Sequence, residues 1–328
     1  MLIDKIRIGI IGVGYLGSLH ARVLSEIKNV DFVGVYDIDN ERKIKIANAY
    51  KVKAFESEEE LIDNVDAVIC AVPTKHHYRV GVKVLNKNKH LFIEKPISET
   101  IEQGEELVKL SNEKKLKLMV GHIERFNPAI LASEKFIKEP FYIETLRIAP
   151  FNPRGTDVDV IKDLMIHDLD IALNYIKSEP TFVHAVGAPV LTDKIDIASA
   201  RIEFKNSAVI SLTVSRVSLK KVREIRIFQN DRYISINLLS KESYMIVKEE
   251  DAILPYFLDV DENLEPLKIE VQEFINSIIE NRKPKVSGED GLKALKIAQL
   301  IVEDIERRLK NLDVSIKRWN KIIFISNH

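Results

Sequence analysis

Gly12-Val13-Gly14-Tyr15-Leu16-Gly17 stands directly behind the apolar run Ile6–Ile11 and opens the amphipathic stretch Tyr15–Ile27. This strand–turn–helix reading decides the fold. Gly12 permits the tight turn, Gly14 lets the backbone come up against a pyrophosphate, and Gly17 lets the helix pack closely on the strand. A helix that begins there offers unbonded N–H groups and the positive end of its dipole to phosphate. Tyr15 and Leu16, between the last two glycines, are assigned with them to a dinucleotide. The partner of the loop is Asp37, about 20 residues beyond Gly17, closing Val33-Gly34-Val35-Tyr36-Asp37. Its carboxylate is suited to accept hydrogen bonds from the adenosine ribose hydroxyls. It would repel a 2′-phosphate, and Ile38 brings no compensating charge, so NAD is favoured over NADP. The plainer readings are a merely structural turn and an Asp37 that only caps the helix starting near Asn40.

Outward from the loop, short apolar runs alternate with longer charged ones. Phe32–Tyr36, Ala67–Ala71, Leu91–Ile93 and Leu116–Val120 read as further strands, nearly continuous in apolar residues as parallel strands covered on both faces are. Asn40–Tyr50, Glu58–Asp63 and Thr100–Lys114 read as helices. The fold class is α/β: an N-terminal Rossmann domain, a doubly wound parallel sheet, over residues 1–122. Past Gly121 the rhythm changes. Helices are expected at Pro128–Lys138 and Lys162–Ile176, with a strand at Tyr142–Ile148 and a polar loop at Asn152–Asp159 between them. Strands follow at Ala198–Phe204, Ala208–Ser215, Glu224–Gln229, Tyr233–Leu238 and Tyr244–Lys248. Lys205-Asn206-Ser207 and Asn230-Asp231-Arg232 predict antiparallel hairpins. Helices Ile269–Asn281 and Gly288–Leu309 complete a C-terminal α+β domain, residues 123–311, with an open, mainly antiparallel sheet. The tail 312–328 has no assigned place.

Composition narrows the function. Hydrophobic residues make up 45% of the 328, enough for two cores, and the net charge of -1 gives no basic excess for a sequence-independent nucleic-acid binder. The single cysteine, Cys70, can form neither an intramolecular disulfide nor a cysteine-based zinc site. No apolar run approaches the roughly 18 residues of a membrane span, and no leader pattern opens the chain. A cytoplasmic protein with no membrane partner is expected.

Ligands of an open α/β sheet lie beyond the carboxyl ends of its strands. Glu94-Lys95-Pro96 stands there, with Lys95 expected in the cleft and a proline that can take the cis form. Val72-Pro73-Thr74, with His77 three residues on, occupies similar space. In the second domain Asp163 and His167 are four apart, neighbours on one face of a helix, and Asp170 could bond the other ring nitrogen. These residues, with the glycine loop and its His20, resemble the glucose–fructose oxidoreductase / inositol dehydrogenase family (Gfo/Idh/MocA) over nearly the whole chain. The resemblance implies that a lysine and a histidine flank a sugar carbon that exchanges hydride with nicotinamide. Carried over residue by residue, it makes Lys95, Asp163 and His167 the catalytic candidates. Val72, Pro73, Thr74, His77, Glu94 and Lys95 join the cofactor site. The chain departs from the family pattern at Val160-Ile161 and Met165, where glycines are frequent.

Alcohol oxidation requires a proton acceptor, and histidine is suited to it near neutral pH. Lys95 would stabilise the developing alkoxide, with Glu94 holding or tuning the lysine. His167 is preferred over Lys95 as the formal base, and both stay open. His77 has equal claim to a ligand contact and to a structural hydrogen bond. His76 reads as a solvated helix start and His20 as structural. No metal is expected, although Asp163, His167 and Asp170 are chemically able to bind one.

A narrower likeness joins Val120–Pro128, Pro153-Arg154-Gly155-Thr156 and Asp163–Asp168 to the family branch that contains UDP-N-acetylglucosamine 3-dehydrogenases. That branch implies oxidation of the sugar 3-hydroxyl to a ketone, which a separate aminotransferase turns into an amine for lipid A. Arg125 and Arg154 would then pair with the substrate's phosphates and Asn127 with a sugar hydroxyl. Arg125 serves equally as an interdomain ion-pair partner. The alternatives are another sugar or cyclitol dehydrogenase, an NAD-dependent glycosidase, and a non-catalytic dinucleotide sensor or scaffold. The open sheet, an association surface in the family, implies a homo-oligomer, dimer or tetramer.

Overall fold

The computed structural model describes residues 5–152, 158–249 and 252–326, with side chains through residue 311. Two compact units divide the chain: Met1–Pro128 with Glu262–Leu295, and Ala129–Asp261 with Lys296–His328.

The first unit is the doubly wound domain. Its strands are β1 Ile6–Ile11, β2 Val30–Tyr36, β3 Lys53–Ala54, β4 Ala67–Cys70, β5 His90–Glu94 and β6 Leu118–Gly121. They form one sheet in the order β3-β2-β1-β4-β5-β6, and every neighbouring pair is parallel. Its helices are α1 Tyr15–Glu26, α2 Asn40–Tyr50, α3 Glu58–Asp63, α4 His77–Asn86 and α5 Ile101–Glu113. All four residues of β4 are buried, as a strand covered on both faces must be. The strand order reverses between β1 and β4, and a ligand crevice opens at such a switch point.

The second unit carries α6 Pro128–Ser133 from Ala129 onward, α7 Ile166–Tyr175 and eight strands. These are β7 Tyr142–Ile148, β8 Pro180–Ala188, β9 Ile197–Phe204, β10 Val209–Ser215, β11 Val222–Gln229, β12 Arg232–Asn237, β13 Glu242–Glu249 and β14 Ala252–Phe257. The sheet order is β14-β13-β12-β11-β7-β10-β9-β8, and the central β7–β10 pair alone is parallel. One face is alternately buried: Ile143, Ile202, Ile210, Leu212, Ile225, Ile227 and Ile234 fill the core. Both expected hairpins, β9–β10 and β11–β12, form antiparallel.

Three expectations change. The strands β3, β8 and β14 were not anticipated, and each is the edge of its sheet. An edge strand need not bury both faces, so β14 is exposed along its whole length and contains Pro255. The helix expected over Pro128–Lys138 ends at Ser133 and continues as a 3₁₀ turn, Glu134–Phe136. Within the fold, part of the expected 123–311 domain groups with the first unit. Residues 123–128 and α8, Pro266–Ile279, belong with the first unit. Val271, Phe274 and Ile275 of α8 enter its core, and the Phe274 ring meets Phe92 edge-on at 5.8 Å. The last helix, α9, runs unbroken over Gly288–Ser326, so the tail expected at 312–328 is helical through Ser326.

Candidate active site

A groove of about 550 Å³ opens in the first unit where β1, β2 and β4 end. Gly12, Gly14, Tyr15, Leu16, Asp37, Val72 and Pro73 line it, as the sequence led us to expect. Gly12 has a φ of +88°, a conformation side chains disfavour. A Cβ at Gly17 would stand 1.9 Å from the Gly12 carbonyl oxygen, so α1 approaches the loop closely through this residue. Gly14 differs: a Cβ there would meet nothing nearer than 3.9 Å. Packing does not require that glycine, whereas a pyrophosphate brought against the backbone does. Gly14 caps α1 without a side-chain hydrogen bond, and no acidic residue sits in the helix's first turn. The helix start is therefore open to an anion. These features fit an NAD dinucleotide. Asp37 is 7% exposed. Its Oδ2 accepts the Val13 N–H at 2.7 Å and its Oδ1 the Asp39 N–H at 2.8 Å. The residue capping α2 is Asp39, whose Oδ1 accepts the Arg42 N–H, so the expected alternative of an Asp37 cap is replaced by its neighbour.

The same groove is lined by Arg42, His76, Arg79 and Glu58, none of them assigned to it from the sequence. His76, read as a solvated helix start, faces the groove instead. Glu58 binds Arg79 through two bonds of 2.6 and 2.7 Å. Arg42 escaped because its nearness to Asp37 depends on how α2 leaves β2, which Ile38 alone does not reveal.

Beyond β5, the Lys95–Pro96 peptide is cis and Lys95 is half-buried. Glu94, expected to hold or tune the lysine, is buried against α1, where His20 Nε2 lies 2.7 Å from its Oε1. Burial pushes the Glu94 carboxyl up, but the His20 bond and the charges of His20, Lys95 and His77 outweigh it and hold it below the usual range. Of the two roles open to His77, the structure shows the hydrogen-bonded one: Nδ1 lies 2.8 Å from the Pro96 carbonyl and Nε2 2.9 Å from that of Val72. It ties the end of β4 to the Lys95–Pro96 turn, and burial pushes its pKa down. Thr74 begins a 3₁₀ turn, Thr74–His76, ahead of α4.

The expected substrate contacts after β6 are largely internal. Arg125 is 3% exposed and donates from Nη2 to the Lys285 carbonyl at 3.0 Å, so its guanidinium fastens the approach to α9 within the first unit. Asn127 is buried and donates to Glu124 Oε2 at 3.3 Å. Arg154 lies outside the described residues.

In the second unit, the helix expected over Lys162–Ile176 divides. Ile161–Met165 is a wide π turn, followed by α7. Asp163 lies in the wide turn and His167 in the first turn of α7, both half-buried. Wide turns of this kind are frequent at functional sites. Two buried ion pairs flank this turn. Arg147 of β7 holds Asp168 through three contacts of 2.7–3.1 Å. Arg216 donates from Nε to Asp196 at 2.7 Å and from Nη1 to the Val158 carbonyl at 3.0 Å. Asp170, next to them in sequence, is buried. Among the described residues, no three His, Cys, Asp or Glu side chains are grouped to hold a metal ion.

Residues 6–122 match a family model described as an oxidoreductase family with an NAD-binding Rossmann fold, and residues 151–234 match the GFO/IDH/MocA C-terminal domain. The chain belongs to the Gfo/Idh/MocA oxidoreductases, NAD-dependent enzymes acting on CH–OH groups. Among individual proteins, it is 36% identical to UDP-N-acetylglucosamine 3-dehydrogenase of Acidithiobacillus ferrooxidans, over 93% of this chain and 98% of that one. A solved structure of that enzyme superposes with a TM-score of 0.88 at 35% identity, covering 92% and 98% of the two chains. Identity to inositol 2-dehydrogenase of Rhizobium meliloti is 27%, over 92% of this chain and 98% of the relative.

Proposed function

We propose that this enzyme oxidises a sugar secondary hydroxyl, the 3-hydroxyl of UDP-N-acetylglucosamine, to the 3-keto sugar. The observation that carries the reading is the 36% identity, spread over 93% of the chain, with an enzyme of that name. NAD, when bound along Gly12–Gly17 and Asp37, supplies the hydride acceptor. His167 accepts the hydroxyl proton, and Lys95, at the strand end beyond β5, stabilises the alkoxide by charge and hydrogen bonding. Asp163 shares the substrate site with His167, and the Arg147–Asp168 pair keeps their turn in place. The 3-keto product suits a following transamination, which places the enzyme before an aminotransferase on a route to lipid A precursors. The buried Arg125 favours a second reading, a sugar or cyclitol dehydrogenase whose substrate carries no diphosphate.

We also read the chain as a homo-oligomer. Tyr142, Phe228, Tyr233, Tyr244 and Phe257 form a continuous row across β7, β11, β12, β13 and β14, with ring centroids 5.0–6.1 Å apart. Such a row on a partly exposed sheet face suits burial against a second copy. Among the described residues no helix is long and apolar enough to cross a membrane.

The test is reduced-nicotinamide absorbance with NAD and UDP-N-acetylglucosamine, an aminotransferase and glutamate drawing the oxidation forward. Turnover is expected, falling about 10²- to 10⁴-fold in Lys95→Ala and in His167→Ala. Silence with this sugar while NADH still binds would sink the substrate assignment, and turnover of myo-inositol would replace it with the second reading.

A further inference from the structure

We propose that Arg42 is a specificity-determining residue of the cofactor groove, and that it opens the groove to NADP(H) beside NAD(H). Asp37 taken alone repels a 2′-phosphate, which carries close to two negative charges. In the folded chain Asp37 does not stand alone. Arg42 Nη1 lies 3.7 Å from Asp37 Oδ2, and Nη2 lies 3.2 Å from Asp39 Oδ2. The two carboxylates thus share a cation whose side chain remains 48% exposed and lines the groove. Asp37 also has each oxygen on a backbone N–H, which spreads its charge into the loop.

A place for the extra phosphate adjoins the loop. An open hollow of about 460 Å³ is lined by Val13, Gly14, Ser18, Arg42 and Lys45. Arg42 borders this hollow and the main groove alike. Lys45, one helical turn from the start of α2, is exposed there and adds a second cation. The open space at Gly14 faces Arg42 too, its Nη1 being the nearest atom to a Cβ built there. Two cations set against Asp37 and Asp39 make this corner nearly neutral, and a guanidinium matches phosphate geometry through paired N–H donors. The preference for NAD over NADP is therefore shallow, and Arg42 sets its depth.

The experiment is fluorescence titration of the purified protein with NADH and with NADPH, repeated for Arg42→Gln and Arg42→Lys, with no sugar present. The unmodified protein should bind both, NADPH within about a hundredfold of NADH. Arg42→Gln should weaken NADPH by about tenfold or more and NADH by less than about threefold, while Arg42→Lys retains part of the NADPH affinity. Added KCl should weaken NADPH more steeply than NADH. Equal losses for both cofactors in Arg42→Gln would overturn the proposal, assigning the guanidinium to the shared part of the dinucleotide. So would NADPH failing to bind the unmodified protein. A thermal melt of each variant separates these results from misfolding, and none depends on which sugar is the substrate.

Discussion

The glycine loop of the first unit and the Asp163–His167 turn of the second achieve positional precision by opposite means. The loop is set locally: Gly12 takes a conformation that side chains disfavour, and Gly17 admits α1 to within contact of the Gly12 carbonyl. Its distant ties are the Gly12 N–H on the Tyr36 carbonyl and the Asp37 carboxylate on the Val13 N–H. The turn is an irregular π segment, and little in its own sequence dictates that shape. Asp159 caps its start on the Lys162 N–H, and charges far away in sequence pair on either side of it, Arg147 on Asp168 and Arg216 on Asp196 and the Val158 carbonyl. Local steric rules make a site that a motif can announce. Long-range buried ion pairs make one that a motif only hints at.

The largest effect should come from breaking an anchor of the turn. Arg147 and Asp168 retain only 2% and 3% side-chain exposure. Arg147→Met takes the guanidinium away from a buried carboxylate and should cost about 3–5 kcal/mol in urea denaturation, while pairing it with Asp168→Leu should recover most of the loss. If the double variant is no more stable than the single one, long-range charge pairing is not what holds the turn.

A smaller effect isolates the loop. Gly14→Ala meets no atom within 3.9 Å, so the melting temperature should stay within about 2 °C while NADH affinity falls roughly tenfold, about 1.4 kcal/mol. Gly17→Ala, whose Cβ would collide with Gly12, should lower both. Unchanged NADH affinity in Gly14→Ala would remove the loop's claim to the pyrophosphate.

The smallest effect distinguishes the units by acid. Burial, with help from Lys117, pushes the His90 pKa to about 4, and its Nδ1 accepts the Lys117 N–H at 2.9 Å. Burial, then the Arg125 and Lys95 charges, push His122 to about 3. Both belong to the first unit, and both are neutral when folded. The unfolded chain takes up their protons below about pH 6.5, so the stabilisation is complete above that value and declines as the pH drops toward 4 and 3. The corresponding group of the second unit is a carboxylate. Burial would raise Asp196, but three backbone N–H donors and Arg216 outweigh it and hold it below the usual range. Its contribution persists above about pH 4 and is lost only beneath it. Hydrogen exchange at pH 7 and 4.5 should show first-unit amides losing protection earlier, with His90→Asn flattening that dependence. Equal losses in the two units would erase this distinction.

The sequence by itself determined the elements whose chemistry is local. Ile6–Ile11, the glycine loop and Asp37 declare a dinucleotide domain, because only glycine meets the steric demands of that turn and an acidic strand end answers a ribose. The central strands were equally legible, since strands covered on both faces must be apolar throughout. Three of the four edges were not: β3, β8 and β14 escape because an edge has no second neighbour, whereas the edge β6 was read because it is buried and apolar. Only the tertiary structure decided the rest. It returned α8 to the first core through Phe274, turned His77 into a brace and Arg125 into an internal tie, and set Arg42 beside Asp37. Each of these depends on where the fold carries a side chain relative to residues distant in sequence. Motif spacing fixes neighbours along the chain, whereas burial and charge pairing are settled by packing between elements.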